Sequence, residues 1–435
     1  MPHHYTVSRI LAAAAAAGLV LVATPTFAQD SSRSRIQGQQ DQEQEQSQSE
    51  SQSGSAPPSI DTATAKALNT AIEALNMEKY AEAQAAIGTL NLEKLSPYER
   101  SKVEQILFNI SYAEEKYDEA RQHLQRSIDA GGLNEQEVSQ ARYQFAQLYL
   151  QEEKWKEGAA ALEEWFTTAM NPNSAAYYLL AVAYYQMEDL ARALPPAQKA
   201  IELAEMPQES WLQMLLALYI QKEQFNDAIP LLVRLVEMAP DKKTYWMQLS
   251  SIYGQIEDYP NALAVMQAAY NAGLVTEDAE VRRLADLLLF NDVPYRGGQV
   301  LEDAIQKGTV TLDDKVYEKL ANCWVAAGEL DKAIEPLTRG GDLASSGEMF
   351  VRLGQVHLER QDWEAAKAAL ERGISKGELK DTGAAHLLMG IAFFNEKRLA
   401  DARTWFERAA RAEKHRSIAE TYLQIIDAQT AATPA

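Results

Sequence analysis

A five-residue phrase recurs ten times along the chain and restricts the folds open to it. The first copy is KYAEA (79–83) and the last is RLADA (398–402), and successive copies lie 33 to 38 residues apart. A period of this length is typical of stacked helical units that cannot bury their apolar faces alone. The small residues that end the ten copies are Ala83, Ala120, Gly158, Ala193, Ala228, Ala262, Gly298, Ala333, Ala366 and Ala402.

Three further positions recur at fixed distances from the phrase. The residue three before each final residue is apolar in all ten copies, from Tyr80 to Leu399. The residue twelve before it is small in seven copies, as at Ala146 and Gly390, and the residue four after it is apolar in nine. Small residues allow two antiparallel helices to approach closely. The pattern predicts an all-α fold, a superhelical solenoid of about ten helix–turn–helix units with the period of tetratricopeptide repeats (TPR).

Local signals place the helix ends. Asp189 and Asp258 are predicted N-caps of second helices, Pro240 is expected to end a helix, and 417–428 reads as a C-terminal capping helix. Two places fit poorly. The seventh unit has Asp286 at the small position, Glu302 at an apolar position and Gly297-Gly298 at its end, and RGGDLASSGEM (339–349) is rich in Gly and Ser. These places either allow the last repeats to bend or reflect ordinary repeat degeneracy.

The N-terminus predicts export. Residues 1–28 combine Arg9, a 14-residue apolar run and the small-residue site Thr26-Phe27-Ala28, as in a signal peptide cleaved before Gln29. An uncleaved anchor is the alternative, although the run is short for a membrane span. Residues 29–59 are a predicted Gln/Ser-rich disordered tether, 60–415 the TPR array, and 416–435 the capping helix and a short tail. The expected location is the periplasm.

Composition argues against several function classes. A net charge of -21 disfavours nucleic-acid binding, and the single Cys323 excludes any multi-thiolate metal site. There is no HExxH, P-loop, GxGxxG or GxSxG motif of the kind that carries catalysis or cofactor binding. His357, His386 and Cys323 are predicted to be packing residues. His123 and His415 are predicted to stand alone on helix surfaces. We therefore expect no enzyme, no catalytic residue, no cofactor and no metal.

A partner groove is the one site that the pattern predicts. In a TPR solenoid, the first helix of each unit lines the inner surface, and four offsets from its small position point inward. Amides and tyrosines at these offsets could bind an extended peptide, because amides bond its backbone and tyrosines offer rigid contact area. The alternative is that the amides precede the inter-helix turn and are merely solvated. The residues are Gln105, Asn109, Tyr112, Tyr143, Gln147, Gln151, Tyr178, Tyr185, Gln186, Gln213, Gln221, Met247, Gln255 and Asn291.

Three longer phrases suggest a particular group. LSPYERSKVEQILFNISYAEEKYDEA (95–120), YWMQLSSIYGQIEDYPNALAVMQAAY (245–270) and NDVPYRGGQVLEDAIQKG (291–308) resemble a periplasmic TPR protein of proteobacteria that is associated with TonB–ExbB–ExbD energy-transduction systems. The similarity runs over about 65–428. It implies a non-enzymatic accessory scaffold that helps couple TonB complexes to outer-membrane receptors for iron chelates or other nutrients. It carries over no catalytic residue and no binding motif.

Two functions remain open from the sequence. The first is the scaffold of a TonB-dependent uptake system, with TonB, ExbD or an outer-membrane receptor as partner. The second is a TPR scaffold for envelope assembly or exopolysaccharide secretion, in which such arrays also occur. In both cases the partner is a protein or an extended peptide segment.

Overall fold

The computed structural model describes residues 59–431. The predicted signal peptide (1–28) and the predicted tether (29–59), apart from Ser59, lie outside the described residues. The part that is described contains 21 α-helices, one short 3-10 helix and no strand, which confirms the all-α prediction. It divides after Gln224 into two compact units.

Unit 1 comprises four helical hairpins and a ninth helix. Each hairpin packs its first helix against its second, and each second helix packs against the next first helix. The helices are α1 (Thr62–Asn76), α2 (Tyr80–Gly88), α3 (Pro97–Ala113), α4 (Tyr117–Asp129), α5 (Glu135–Gln151), α6 (Trp155–Thr168), α7 (Ser174–Gln186), α8 (Leu190–Leu203) and α9 (Glu209–Gln221).

Unit 2 opens with a second helix, continues through five hairpins and ends in a single helix. That last helix is longer than the predicted 417–428. The helices are α10 (Phe225–Met238), α11 (Lys243–Gln255), α12 (Tyr259–Asn271), α13 (Asp278–Phe290), α14 (Pro294–Lys307), α15 (Asp314–Ala326), α16 (Leu330–Leu343), α17 (Glu348–Glu359), α18 (Trp363–Lys376), α19 (Thr382–Asn395), α20 (Leu399–Ala409) and α21 (Glu413–Ala431).

The repeat positions have consistent structural roles. The apolar residue three before each final residue is the first residue of the second helix in nine repeats, and in the seventh Pro294 precedes Tyr295. The small residues Ala146, Ala181 and Ala321 are fully buried where paired helices meet. Asp189 and Asp258 accept the backbone N–H groups of Arg192 and Asn261 and so cap α8 and α12, as predicted. The helix before Pro240 ends at Met238, also as predicted.

The turns between paired helices share a left-handed residue that the pattern did not predict. It lies two residues before every second helix and has φ between 56° and 73°. Only one of the ten is glycine, Gly328, although glycine is the residue that adopts this conformation without a steric cost. The other nine carry side chains, and seven of them are acidic: Glu78, Glu115, Glu153, Glu188, Glu223, Glu257 and Asp292.

The two poorly fitting places are tightly packed. In α14, a Cβ on Gly297 would lie 2.9 Å from Cys323 Sγ, and one on Gly298 would lie 2.6 Å from the ring of Trp324. Within 339–349, Gly340 and Gly341 are buried residues of α16, and a Cβ on Gly341 would lie 2.9 Å from the ring of Phe350. These glycines allow the helices on either side to approach closely.

Glu99 joins the start of α3 to the start of α1. Its carboxylate accepts hydrogen bonds from the backbone N–H groups of Asp61 at 2.8 Å and Ser96 at 2.9 Å, and from the Ser96 hydroxyl at 2.7 Å. Ser96 in turn caps α3 by accepting the Glu99 N–H. The hydrogen bond from Asp61 and then those from Ser96 lower the pKa of Glu99 to about 2.

We expect this carboxylate to make the stability of unit 1 dependent on pH. A folded-state pKa below the unfolded value contributes stability above the unfolded pKa, and that stability is lost as the pH falls from about 5 toward the folded pKa. Glu99→Gln should lower the free energy of unfolding near neutral pH by about 1 to 2 kcal/mol. Urea unfolding at pH 7, 5 and 3, followed by circular dichroism, checks this. The exposed Glu82→Gln is the control, and an equal acid-induced loss in wild type and Glu99→Gln would contradict the prediction.

Candidate protein-interaction surface

The predicted groove residues all lie on first helices or at their ends. We call the surface formed by these residues of first helices the first-helix face. Some neighbouring first helices contact each other directly, as α1 does with α3 and α13 with α15. Unit 1 carries eleven of the predicted residues, and unit 2 carries Met247, Gln255 and Asn291.

Four predicted glutamines share one offset from the small position of their repeat, and each is the last residue of its helix. Gln151, Gln186, Gln221 and Gln255 are the last residues of α5, α7, α9 and α11, and each is exposed. They immediately precede the left-handed turn. This placement leaves the amide groups accessible to a partner. It also agrees with the alternative that these amides precede the inter-helix turn and are merely solvated.

Asn291 differs from these glutamines. It follows the last residue of α13, and its Nδ2 donates to the carbonyl oxygen of Leu287 at 2.8 Å and of Tyr259 at 3.3 Å. The amide N–H groups therefore tie α13 to α12 instead of facing a ligand. Asn291 acts as a structural residue of the turn.

An aromatic pair joins two neighbouring first helices in unit 1. The ring of Tyr178 on α7 stacks on that of Trp211 on α9, with 4.8 Å between centroids and 17° between planes. The Tyr178 hydroxyl also hydrogen-bonds Ser210, and burial raises the pKa of Tyr178. Trp211 is half-buried and was absent from the predicted set, although an aromatic residue two positions before Gln213 could have indicated it.

Other predicted residues pack against their neighbours. Tyr185 hydrogen-bonds Gln221 across α7 and α9, and burial raises its pKa. Gln213 donates to Glu209 on its own helix at 3.0 Å. The ring of Tyr143 lies 4.7 Å from that of Trp165. Gln105 and Gln147 are half-buried and Asn109 is exposed.

Tyr112 belongs to an aromatic cluster inside its hairpin. Its ring centroid lies 6.0 Å from that of Phe108 and 6.0 Å from that of Tyr117. In unit 2, Met247 is half-buried and packs against the apolar core. Of the predicted set, the structure pairs Tyr185 with Gln221, and it pairs Tyr178 with Trp211, which was not in the set.

Two histidines are paired with carboxylates, so their prediction as isolated surface residues is wrong. His123 Nδ1 lies 2.6 Å from Glu104 Oε2, and His415 Nε2 lies 2.8 Å from both carboxylate oxygens of Asp381. The hydrogen bonds from His415, the Ala384 N–H and Lys414 hold the pKa of Asp381 far below its usual range. Sequence spacing missed both pairs because their partners are 19 and 34 residues away.

The remaining residues considered for chemistry are packing residues, as predicted. His357 is buried, His386 packs on Trp405 at 5.5 Å, and burial lowers the pKa of both. Cys323 is buried and its pKa is raised to about 11, so its thiol stays neutral at ordinary pH. Residues 59–431 contain no cluster of His, Cys, Asp and Glu that could hold a metal ion. In the same span, no helix combines the length and apolar character of a membrane span.

Known proteins share this organisation. The tetratricopeptide repeat family model matches residues 143–207, 215–277 and 351–415. These segments are tetratricopeptide repeats. The matches begin within α5, α9 and α17 and run past the ends of α8, α12 and α20, so each covers parts or all of two successive helical hairpins.

Several solved structures match parts of this chain at low identity. MamA is 18% identical, with a TM-score of 0.35, over 40% of this chain and 93% of that chain. YrrB, described as a TPR protein with an unusual peptide-binding site, is 17% identical, with a TM-score of 0.33, over 43% and 90%. A TPR protein from Parabacteroides merdae is 15% identical, with a TM-score of 0.30, over 59% and 98%. No curated protein matches the chain. Likeness at this level carries no functional argument.

Proposed function

We propose that this chain is a non-enzymatic periplasmic scaffold that binds protein segments on its first-helix face. The observation that carries the binding role is the first-helix face of unit 1, where Tyr178 and Trp211 stack across two neighbouring helices that end in the exposed Gln186 and Gln221. Stacked aromatic rings supply a preorganised surface, and amides can bond the backbone of an extended segment. TPR proteins bind peptides and proteins, and this face is a candidate place for it here.

We propose further that the scaffold serves a TonB-dependent uptake system. The support is the resemblance of 95–120, 245–270 and 291–308 to the TonB-associated periplasmic group, together with the export signal that the N-terminus predicts. The partners on this proposal are TonB, ExbD or an outer-membrane receptor for iron chelates or other nutrients.

In-cell crosslinking followed by pull-down tests the system to which the scaffold belongs. The chain beginning at Gln29 is the bait in periplasmic extracts. Recovery of TonB, ExbD or a TonB-dependent receptor is the expected result. Recovery of envelope-assembly or polysaccharide-export components in their place would overturn the TonB assignment and leave the scaffold function standing.

Variants of the same bait test the first-helix face of unit 1. Truncating Gln151, Gln186 and Gln221 to alanine together with Trp211→Ala should lower partner recovery at least about tenfold, since a central aromatic anchor alone is often worth 2 kcal/mol. Helicity measured by circular dichroism should not change. The control truncates Gln84 and Gln122, which are exposed glutamines on second helices of unit 1. Equal recovery by both sets of variants would show that this face is merely solvated.

A further inference from the structure

Unit 2 has a gap in its first-helix face at Gly254. This residue lies four after the small position of its repeat, and the nine equivalent residues are all large and apolar: Leu75, Tyr112, Leu150, Tyr185, Ile220, Phe290, Val325, Leu358 and Phe394. A Cβ on Gly254 would have only one other group within 4 Å, Arg283 Nη2 at 3.9 Å. The absent side chain leaves a notch bordered by a guanidinium group.

Arg283 is the cation beside this notch. Among residues 59–431, no carboxylate forms an ion pair with it and no acceptor forms a hydrogen bond with its side chain. By contrast, the neighbouring Arg282 binds Asp278, Asp313 and the carbonyl oxygen of Thr311. Arg283 is half-buried, and that burial alone lowers its pKa.

The acidic side chains three residues before and after Arg283 on α13 are engaged elsewhere. Glu280 pairs with Lys243 at 2.8 Å, and Asp286 pairs with Lys319. An unpaired guanidinium that is partly removed from water is costly, and the chain has 62 acidic against 41 basic residues from which a partner could come. A partner supplied by another molecule would relieve this cost.

Apolar side chains continue the face next to Arg283. Leu287 and Phe290 follow it by four and seven residues, so they lie on the same side of α13. Phe290 is 64% exposed, and its ring lies 4.2 Å from that of Tyr259. A ligand that reaches Arg283 can therefore also cover an exposed aromatic ring.

We propose that the notch at Gly254 and Arg283 binds a carboxylate of a partner peptide, with an adjacent apolar residue of that peptide on Phe290. The guanidinium group supplies two parallel N–H donors that match a carboxylate, and the missing side chain at Gly254 gives it room. The carboxylate is either a C-terminal one or that of an Asp or Glu side chain. This inference rests on the proposed scaffold function and names the chemistry of the segment that it captures in unit 2.

Arginine side-chain NMR of the full mature chain tests the proposal. The Nε–Hε signal of Arg283, assigned by its loss in Arg283→Gln, is followed during titration with three small probes. N-acetyl-leucine carries a C-terminal carboxylate, N-acetylglutamic acid amide carries a side-chain carboxylate, and N-acetyl-leucinamide carries neither. A saturable shift with one of the two carboxylates and none with the amide is expected, and the better carboxylate identifies the source. No saturable shift with either would overturn the proposal.

Two variants and one control make the result specific. Gly254→Leu should fill the notch and weaken carboxylate binding at least about tenfold while Arg283 remains. The signal of Arg296, an exposed arginine on α14, should not shift. Arg283→Met should leave the melting temperature equal or raise it, because it removes an unpaired charge. A fall in melting temperature would show a structural role and overturn the proposal. Small probes can fail here while protein partners are still captured, so this test is separate from that of the scaffold function.

Discussion

Replacing Phe406 with alanine is expected to destabilise unit 2 by about 3 to 5 kcal/mol, the range for deleting a buried phenylalanine side chain. The ring is fully buried between α19 and α21, stacks on Tyr422 at 4.6 Å and lies 6.5 Å from Phe394. It also lies against the backbone at Gly390, where a Cβ would be 2.6 Å from its Cε1. The helix backbone at Gly390 cannot move into the vacated space, so the cavity should persist.

Urea unfolding together with hydrogen exchange of residues 413–431 measures this loss. Trp405→Ala is the matched control, because Trp405 is adjacent in sequence but only half-buried, and it should cost clearly less. Gly390→Ala alone should destabilise by overpacking, yet combined with Phe406→Ala it should restore part of the stability by filling the cavity. Strictly additive effects, or equal losses for Phe406→Ala and Trp405→Ala, would contradict this account of the packing.

Gly347→Ala is expected to destabilise unit 2 by about 1 to 3 kcal/mol or more through overpacking. Gly347 precedes α17, and its N–H donates to the carbonyl oxygen of Gly377 at 2.8 Å. An added Cβ would clash with the carbonyl oxygen of Gly373 and would lie 2.8 Å from its carbon atom and 2.9 Å from its Cα. These are backbone atoms of α18, so relief of the clash requires the two helices to separate.

Gly254→Ala is the control for this prediction, because its added Cβ meets nothing closer than 3.9 Å. Placing alanine inside α11 should raise stability by up to about 1 kcal/mol through helix propensity. The two substitutions should therefore shift the urea midpoint in opposite directions. A Gly347→Ala variant as stable as wild type would show that the start of α17 is not closely packed.

Period and polarity predicted the helices well, because the repeat is a local signal. The residue three before each final residue marked the start of nine second helices, and Asp189 and Asp258 were identified as caps from their residue type. The close helix contacts of the glycines near Met349 and Trp324 could not be predicted, since glycine is common both in loops and where helices approach closely. The left-handed turns were missed because glutamate is not a residue that predicts positive φ.

The sequence predicted where the residues of the candidate surface lie, but not which side chains they contact. Offsets from the small residue placed all the predicted residues on first helices or at their ends. They could not show that the side-chain amide of Asn291 donates hydrogen bonds to backbone carbonyl oxygens. They also could not show that Trp211 stacks on Tyr178, or that Arg283 lies beside Gly254 with no partner in the described part of the chain. These depend on which side chains meet across neighbouring helices, and a per-repeat pattern carries no such information.

The pairing of each helix with its chain neighbours also bears on how the protein reaches its native state. Within each unit, the partners of a helix are the helices immediately before and after it, with closely following first helices beside them. Contacts of this kind have low contact order, and little loop-closure entropy is lost before they form. A hairpin can therefore assemble without waiting for distant segments, and each completed hairpin offers a formed surface on which the next one packs.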